Sequence, residues 1–158
     1  MVSQCYHLQR HMRMRLMVGV AVLLLATIPS GAAQRDALDR VGETLQQLKP
    51  GTKLLIFAGQ DHDDFLGCLN CSSFVTDSVH NSYGQFGNPF SGKSLRNHYS
   101  TYGNPFSPYS PCNKLSVSPP VVVDPQGTFY GELTLNTIRP KRITNDAIQI
   151  WLRLVCSD

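Results

Sequence analysis

Two cysteines three residues apart, Cys68 and Cys71, are the part of this sequence with the most direct chemical potential. Such a pair exchanges disulfides when it stands at a helix N-terminus, which lowers the thiol pKa, and it also supplies half of a zinc site. Here Ser72 and Ser73 follow without a helix signal, and no second C-x-x-C or histidine cluster completes a metal site. We therefore expect a structural disulfide, with thiol–disulfide exchange by Cys68 and Cys71 as the alternative function.

A second pattern with chemical meaning is G-x-x-x-x-G-K-[ST], matched by residues 87–94 and ending in Lys93 and Ser94. That loop binds phosphate because a buried parallel strand leads into backbone amides aimed at the ligand before a helix. No parallel-sheet strand is predicted before residue 87, and Pro89 removes one amide donor. We predict no nucleotide binding and no cofactor.

A third cluster, residues 61–64, places Asp61, His62, Asp63 and Asp64 in one polar turn. Oxygen-rich loops can hold calcium, but this spacing is not that of an EF-hand and no acid closes the loop downstream. We expect a solvated turn and no metal site. The sequence contains no G-x-S-x-G or H-E-x-x-H motif, so we assign no catalytic residue and an enzyme is the less favoured class.

Helices are predicted at both ends of the domain. The segment from Asp36 to Lys49 has one apolar stripe and is stopped by Pro50-Gly51. The stripe consists of Leu38, Val41, Leu45 and Leu48. Residues 143–156 fit a helix after Asn145 or Asp146, with strand alternation as the less favoured interpretation. The apolar residues on the face of that helix are Ile148, Trp151, Leu152 and Val155.

Two similar hairpins are predicted between the helices. The first joins residues 53–58 to 65–71, and the second joins residues 121–123 to 128–136. The returning strands share the pattern Phe-x-Gly-x-Leu, beginning at Phe65 and at Phe129. The sequence therefore predicts a small coil-rich α+β domain in which both hairpins join one antiparallel sheet.

The segment between the hairpins, residues 77–113, contains a sixteen-residue repeat. Gly87-Asn88-Pro89-Phe90-Ser91 recurs as Gly103-Asn104-Pro105-Phe106-Ser107. The paired aromatic positions are Tyr83, Phe86 and Phe90 in one copy and Tyr99, Tyr102 and Phe106 in the next. Pro, Gly, Asn and Ser at this density indicate successive turns. We expect the rings of Tyr83, Phe90, Tyr99 and Phe106 to fill holes beneath the turns; the alternative is that the six repeat rings form an open ligand surface.

The repeated asparagines Asn81, Asn97 and Asn113 have a separate predicted role. Each stands sixteen residues from the next, and an asparagine side chain can bond backbone groups that irregular chain leaves open. We therefore predict that these three side chains bond the backbone of the turns.

These motifs support a resemblance. The Leu-Gly-Cys-Leu-Asn-Cys run of residues 66–71, the Asn-x-Tyr-x-x-(Tyr/Phe)-Gly-(Asn/Ser)-Pro-Phe-Ser repeats and the run of residues 127–133 resemble a group of small, uncharacterised bacterial exported proteins. The resemblance covers roughly residues 54–136. It implies a shared fold and an exported protein, and it implies no activity.

The N-terminus has the pattern of a secretory signal, residues 1–33. Arg10, Arg13 and Arg15 precede a short apolar run that ends in small residues, and cleavage after Ala32 or Ala33 is expected. An uncleaved anchor helix and a start at Met12 or Met14 are the alternatives. Cleavage leaves residues 34–158 as a single small domain with eleven basic and eleven acidic residues. That balance offers no basic surface for nucleic acid, and no stable membrane span is expected after processing.

Export permits disulfides, and four cysteines remain after cleavage, which allows three pairings. Cys68 and Cys71 can bond each other only if the chain turns between them, and Asn70 favours such a turn. That pairing leaves Cys112 with Cys156, which would attach the last helix to the repeats. Overall the sequence favours a periplasmic or secreted binding or structural-interaction module, whose partner is an unknown protein or cell-envelope ligand.

Overall fold

A computed structural model of the chain describes residues 31–157. The predicted signal segment, residues 1–33, therefore lies outside the described residues except for its last three. The described chain forms a small α+β domain with six regular elements: α1 (Gly31–Gln46), β1 (Leu55–Ala58), β2 (Asp64–Cys68), β3 (Val121–Val123), β4 (Phe129–Glu132) and α2 (Asp146–Val155). The predicted fold class is confirmed.

The four strands form one antiparallel sheet in the order β2-β1-β3-β4. The two hairpins therefore join through β1 and β3, where Ile56 lies opposite Val122. Both residues are fully buried, as expected for β-branched residues in central strands. β2 and β4 end earlier than predicted, at Cys68 and Glu132, and these two residues also pair with later segments of chain.

Each hairpin contains the same irregularity. In the first, Gly67 lies opposite Ile56 and the register shifts by one residue before Phe57; in the second, Gly131 lies opposite Val122 with the same shift. Gly67 has φ 107° and Gly131 has φ 136°, a backbone conformation that favours glycine. The glycine of the shared sequence pattern is thus required at a bulge in both hairpins.

Both outer edges of the sheet are covered by later chain. The Cys68 N–H donates to the Asp77 carbonyl (2.6 Å), and the Cys68 carbonyl accepts from the Val79 N–H (3.2 Å). At the other edge Glu132 makes the equivalent pair of bonds with Lys141 (2.7 Å) and Ile143 (2.9 Å). Neither edge strand offers a free row of backbone groups at these positions.

The helix α1 begins and ends earlier than the predicted Asp36–Lys49. It ends at Gln46, and it cannot resume before Pro50, because Pro50 disfavours helical conformation at Lys49, which has φ 51°. The last carbonyls are closed by short turns, Gln47 N–H to Thr44 and Leu48 N–H to Leu45. The apolar stripe is confirmed, since Leu38 and Leu45 are buried and Val41 and Leu48 pack against the core.

The C-terminal segment is a helix, as favoured from its periodicity. The Asn145 side chain caps it by accepting from the Ile148 N–H (3.1 Å). The predicted face is buried and packs against α1: Ile148, Trp151, Leu152 and Val155. Ile150, which strand alternation would have buried, is exposed.

Both predicted disulfides are present, Cys68–Cys71 and Cys112–Cys156. The first is possible because the chain turns at Asn70, whose side chain accepts from the Leu54 N–H (2.8 Å) and donates to the carbonyls of Leu48 (2.9 Å) and Thr52 (2.8 Å). The second closes a separation of 44 residues. It joins the end of α2 to the turns before β3, as expected.

Residues 72–116 form a continuous series of turns, which we call the turn array. Its corners are residues 72, 75, 78, 81, 84, 88, 91, 94, 97, 100, 104, 107, 110, 113 and 116, and each corner N–H donates to the carbonyl of the corner before it. Four three-residue links are followed by one four-residue link. Four links of three residues and one link of four residues add up to sixteen, which explains the sixteen-residue period of the sequence. The predicted turn structure of the repeats is confirmed.

Candidate ligand-binding surface

Four of the repeat rings are almost fully exposed to solvent, so the expectation that Tyr83, Phe90, Tyr99 and Phe106 fill holes beneath the turns is wrong. Tyr83 and Tyr99 are 96% and 98% exposed, and Phe90 and Phe106 are 89% and 88% exposed. Large aromatic side chains are usually at least half buried in a soluble domain. Rings this exposed at equivalent positions of a repeat are the most unusual feature of the described surface.

The corner geometry explains why these rings point outward. At Asn81 the side-chain oxygen accepts from the Tyr83 N–H (3.1 Å), and the side-chain nitrogen donates to the Val75 carbonyl (3.3 Å). Asn97 makes the same two bonds, to Tyr99 (3.0 Å) and Ser91 (3.1 Å). The predicted backbone bonding of Asn81, Asn97 and Asn113 is thereby confirmed, since Asn113 bonds Leu115 and Ser107 in the same way. Each asparagine uses its whole amide to hold a turn whose second residue faces solvent.

Two of the six candidate surface residues do not belong to this surface. Phe86 and Tyr102 are each only 9% exposed. They lie in the four-residue links, which turn them towards the sheet instead of away from it. The Phe86 ring meets the Phe65 ring edge-on with centroids 5.0 Å apart, so the first hairpin anchors the array.

Tyr102 attaches the second copy of the sixteen-residue repeat to the first hairpin through Asp64. Its hydroxyl donates to the Asp64 carboxylate, which also pairs with the Lys93 ammonium. Burial and the Asp64 partner raise the pKa of the Tyr102 phenol to about 12. The two donors, Lys93 first and then Tyr102, hold the pKa of Asp64 below its usual range.

The contacts of Lys93 and Asp64 also bear on two of the sequence motifs. In the phosphate-loop pattern, Lys93 is held by Asp64, and residues 87–94 consist of turns with no strand directly before them and no helix directly after them. In the acidic turn, Asp64 faces the array and the His62 ring nitrogen lies 3.1 Å from the Pro119 carbonyl. Within residues 31–157, no three His, Cys, Asp or Glu side chains are grouped so that they could hold a metal ion.

Phe74 and Leu115 complete the surface, and the sequence analysis missed both. Phe74 is 95% exposed and stands sixteen residues before Phe90, while Leu115 is exposed and stands sixteen residues after Tyr99. The spacing was the available signal, although Ser72-Ser73 replaces Asn-Pro before Phe74. The exposed residues thus fall into two repeat-related series, which we call the aromatic rows: Phe74, Phe90 and Phe106 in one, and Tyr83 and Tyr99 with Leu115 in the third position of the other.

The surroundings of the aromatic rows are polar and nearly uncharged. The 45 residues from 72 to 116 contain four charged side chains, Asp77, Lys93, Arg96 and Lys114. Lys93 is already paired with Asp64. A shallow depression of about 340 Å³ lies between Tyr99 and Tyr109 and is otherwise lined by Ser, Thr, Asn and Pro.

A groove of about 810 Å³ lies between α1 and the first turns of the array. Phe74 and Tyr83, the first members of the two rows, line it together with Asp39 and Glu43 of α1. Trp151 of α2 also contributes to the lining. The groove and the aromatic rows are therefore parts of one connected surface.

His80 lies beside this groove and is held on three sides. Its ring nitrogen Nε2 is 2.8 Å from the Leu69 carbonyl, and its ring meets the Trp151 ring edge-on at 5.8 Å. A side chain at Gly42 would come within 3.0 Å of Nδ1, so that glycine allows α1 to approach. Burial is the main cause that lowers the pKa of His80, so the ring is neutral at pH 7 and fits a structural role.

The cysteine pair is placed inside the domain. Cys68 is fully buried and Cys71 nearly so, and the Ser78 hydroxyl donates to the Cys71 carbonyl (2.9 Å). Exchange with another thiol needs access to a sulfur atom, and the pair does not stand at a helix N-terminus. The geometry therefore favours the structural interpretation over thiol–disulfide exchange.

Neither helix among residues 31–157 is long and apolar enough to cross a membrane. No protein-family model matches the chain, and no curated protein and no solved structure matches it either.

Proposed function

We propose that this protein is an exported binding module whose aromatic rows contact a ligand of the cell envelope. The observation that carries the proposal is the exposure, between 88% and 98%, of five aromatic rings at repeat-related positions. Exposed rings at repeat-related positions offer a regular series of contacts to an extended ligand. Aromatic rings contribute large contact areas at a low entropic cost, which suits that role.

The compartment in this proposal is the periplasm or the cell exterior. Two disulfides in a domain of this size are typical of oxidising compartments. The arginine-rich, apolar N-terminus and the resemblance to exported bacterial proteins support the same assignment. We expect processing to leave Ala33 or Gln34 at the N-terminus of the exported protein.

The architecture of the turn array supports binding more than a purely structural role for the rings. Phe86, Tyr102 and the serine and asparagine corners already supply the packing and hydrogen bonds that hold the array together. The exposed rings add little to that packing. Their regular placement then needs a contact outside the domain.

Co-sedimentation with isolated bacterial cell-envelope material tests this function. We expect the wild-type domain to sediment with the envelope, and a variant carrying Tyr83→Ser, Phe90→Ser, Tyr99→Ser and Phe106→Ser to remain in the supernatant. Loss of a ring at the centre of an interface typically weakens binding about 10-fold or more, so four together should abolish it.

Ile138→Ser is the matched control. Ile138 is 81% exposed, but it follows the second hairpin and lies outside the aromatic rows. It removes a similar exposed apolar side chain, so the Ile138→Ser protein should still sediment. Equal sedimentation of the four-ring variant and the wild type would contradict the proposal.

A further inference from the structure

The groove between α1 and the turn array has a lining that combines flat rings with hydrogen-bonding groups. Phe74 and Tyr83 supply exposed rings at its edge. Asp39 and Glu43, four residues apart, face it from the same side of α1. Ser73, Asn81 and Ser82 add hydroxyl and amide groups from the array. Small-ligand sites are concave and carry a few polar groups among apolar ones, as this groove does.

The charges of this surface argue against a polyanionic ligand. Two carboxylates, Asp39 and Glu43, stand in the groove with one arginine, Arg96. A nucleic acid or an acidic polysaccharide would require clustered Lys and Arg along the contact, and the 45 residues of the turn array carry only three such side chains. The ligand that this surface fits is close to neutral.

The sheet edges argue against a peptide that binds as an added strand. That mode needs a row of free backbone groups at an edge strand, but Cys68 and Glu132 already bond chain segments 77–79 and 141–143. A large protein partner would need a continuous apolar patch at the centre of its interface. Here the rings are separated by serine and asparagine corners.

A neutral sugar chain satisfies the remaining requirements. A pyranose ring has flat C–H faces that stack on aromatic rings and hydroxyls at its edge that donate to carboxylates and amides. A polymer presents the same face at regular intervals, and the aromatic rows repeat every sixteen residues. Several weak ring contacts along one chain would add to the affinity of a single deeper site.

We propose that this groove is the main subsite for a neutral, β-linked polysaccharide, because β-1,4 linkages keep a sugar chain extended so that it can continue across the aromatic rows. This inference rests on the proposed function, since the same rows provide the contacts beyond the groove. In the groove, sugar hydroxyls donate to Asp39 and Glu43, and a sugar face stacks on Phe74 or Tyr83.

Isothermal titration calorimetry with two soluble probes tests the inference: a hexamer of β-1,4-linked glucose and a hexamer of β-1,4-linked N-acetylglucosamine. We expect at least one hexamer to bind. Asp39→Asn and Glu43→Gln should each raise its Kd about 10-fold, because a hydrogen bond to a charged acceptor would be replaced by a weaker one to a neutral amide oxygen.

Asp36→Asn is the matched control, because Asp36 is exposed on the same helix but does not line the groove. Its Kd should equal that of the wild type. Tyr99→Ser, in the aromatic rows but outside the groove, should give a smaller loss than Glu43→Gln, since the chain end would remain bound in the groove.

Three results would overturn the inference. The first is that neither hexamer binds while a proline-rich peptide does. The second is that neither hexamer binds although the envelope still retains the wild type and not the four-ring variant, in which case the proposed function stands without a sugar ligand. The third is that a hexamer binds and is sensitive to Tyr99→Ser but not to Asp39→Asn or Glu43→Gln, which would place the sugar on the rows alone.

Discussion

The sharpest prediction concerns two phenylalanines of the same repeat unit, Phe86 and Phe90. They stand four residues apart, yet Phe86 is 9% exposed and Phe90 is 89% exposed. If a phenylalanine can bury about 200 Å², Phe86 buries about 180 Å² and Phe90 about 20 Å². At about 25 cal/mol per Å², truncation to alanine lowers the hydrophobic contribution to the free energy of unfolding by about 4.5 kcal/mol at Phe86 and about 0.5 kcal/mol at Phe90.

The assay is reversible thermal unfolding with the disulfides intact. For a domain of this size, 1 kcal/mol shifts the Tm by roughly 3–5 °C. Phe86→Ala should therefore lower the Tm by about 15 °C or more, whereas Phe90→Ala should lower it by no more than about 2 °C. Phe106→Ala provides an independent copy of the exposed case in the next unit and should behave like Phe90→Ala.

Phe86→Leu serves if the alanine variant does not fold, because it keeps part of the contact with Phe65. Its expected cost is about 1–2 kcal/mol, still larger than that of Phe90→Ala. A Tm loss at Phe90 comparable with that at Phe86 would refute the assignment of Phe90 to an open surface. The aromatic rows would then be packing elements, and the binding proposal would lose its main support.

Three further predictions concern the hairpins and the anchor of the array. Gly131→Ala should lower the free energy of unfolding by about 3 kcal/mol or more, because the added carbon would lie 2.8 Å from the Lys141 carbonyl at φ 136°. Gly127, an open turn residue, is the control, and Gly127→Ala should lower it by only about 1 kcal/mol. Equal losses for the two variants in urea unfolding would count against the clash at Gly131. The Arg139 hydrogen bonds lower the pKa of Glu132. Their stabilisation is therefore complete above the ordinary glutamate pKa and is lost as the pH falls through the lower pKa of the folded state. In Glu132→Gln the free energy of unfolding should fall less steeply with decreasing pH at the acid end, and an unchanged slope would contradict this. Tyr102 should titrate near pH 12 in an ultraviolet difference titration, with its contribution to stability falling as the pH rises from about 10 to about 12, and Tyr102→Phe should remove that late phase from the titration curve.

The regular elements were predictable because each depends on local patterns. The stripe of α1, the Asn145 cap of α2 and the β-branched run of β3 are visible in the sequence and are present in the structure. The disulfide pairing was also accessible, since Asn70 made a turn between Cys68 and Cys71 the simplest way to bond them.

The direction of the repeat rings was not predictable in the same way. Phe86 and Phe90 have the same chemistry and the same sixteen-residue partner spacing in the sequence. What separates them is the length of the turn link that contains each ring, three residues or four, which follows from the corner hydrogen bonds. The groove was also hidden, because it needs α1 to lie beside the first turns, a contact between segments far apart in sequence.

The disulfide between Cys112 and Cys156 limits how this protein can change its length in evolution. The backbone N–H of each corner of the turn array bonds the corner before it, and the asparagine side chains bond positions six residues earlier. These contacts are local to the array, so a duplicated stretch of sixteen residues would continue the turns and the aromatic rows without an internal defect. The duplication would, however, separate Cys112 from Phe86 and the first hairpin by one more unit, while Cys156 stays at the end of α2. The disulfide thus fits only one number of sixteen-residue repeats between the first hairpin and α2. A longer relative would have to move this bond, lose it, or shift α2 along the array.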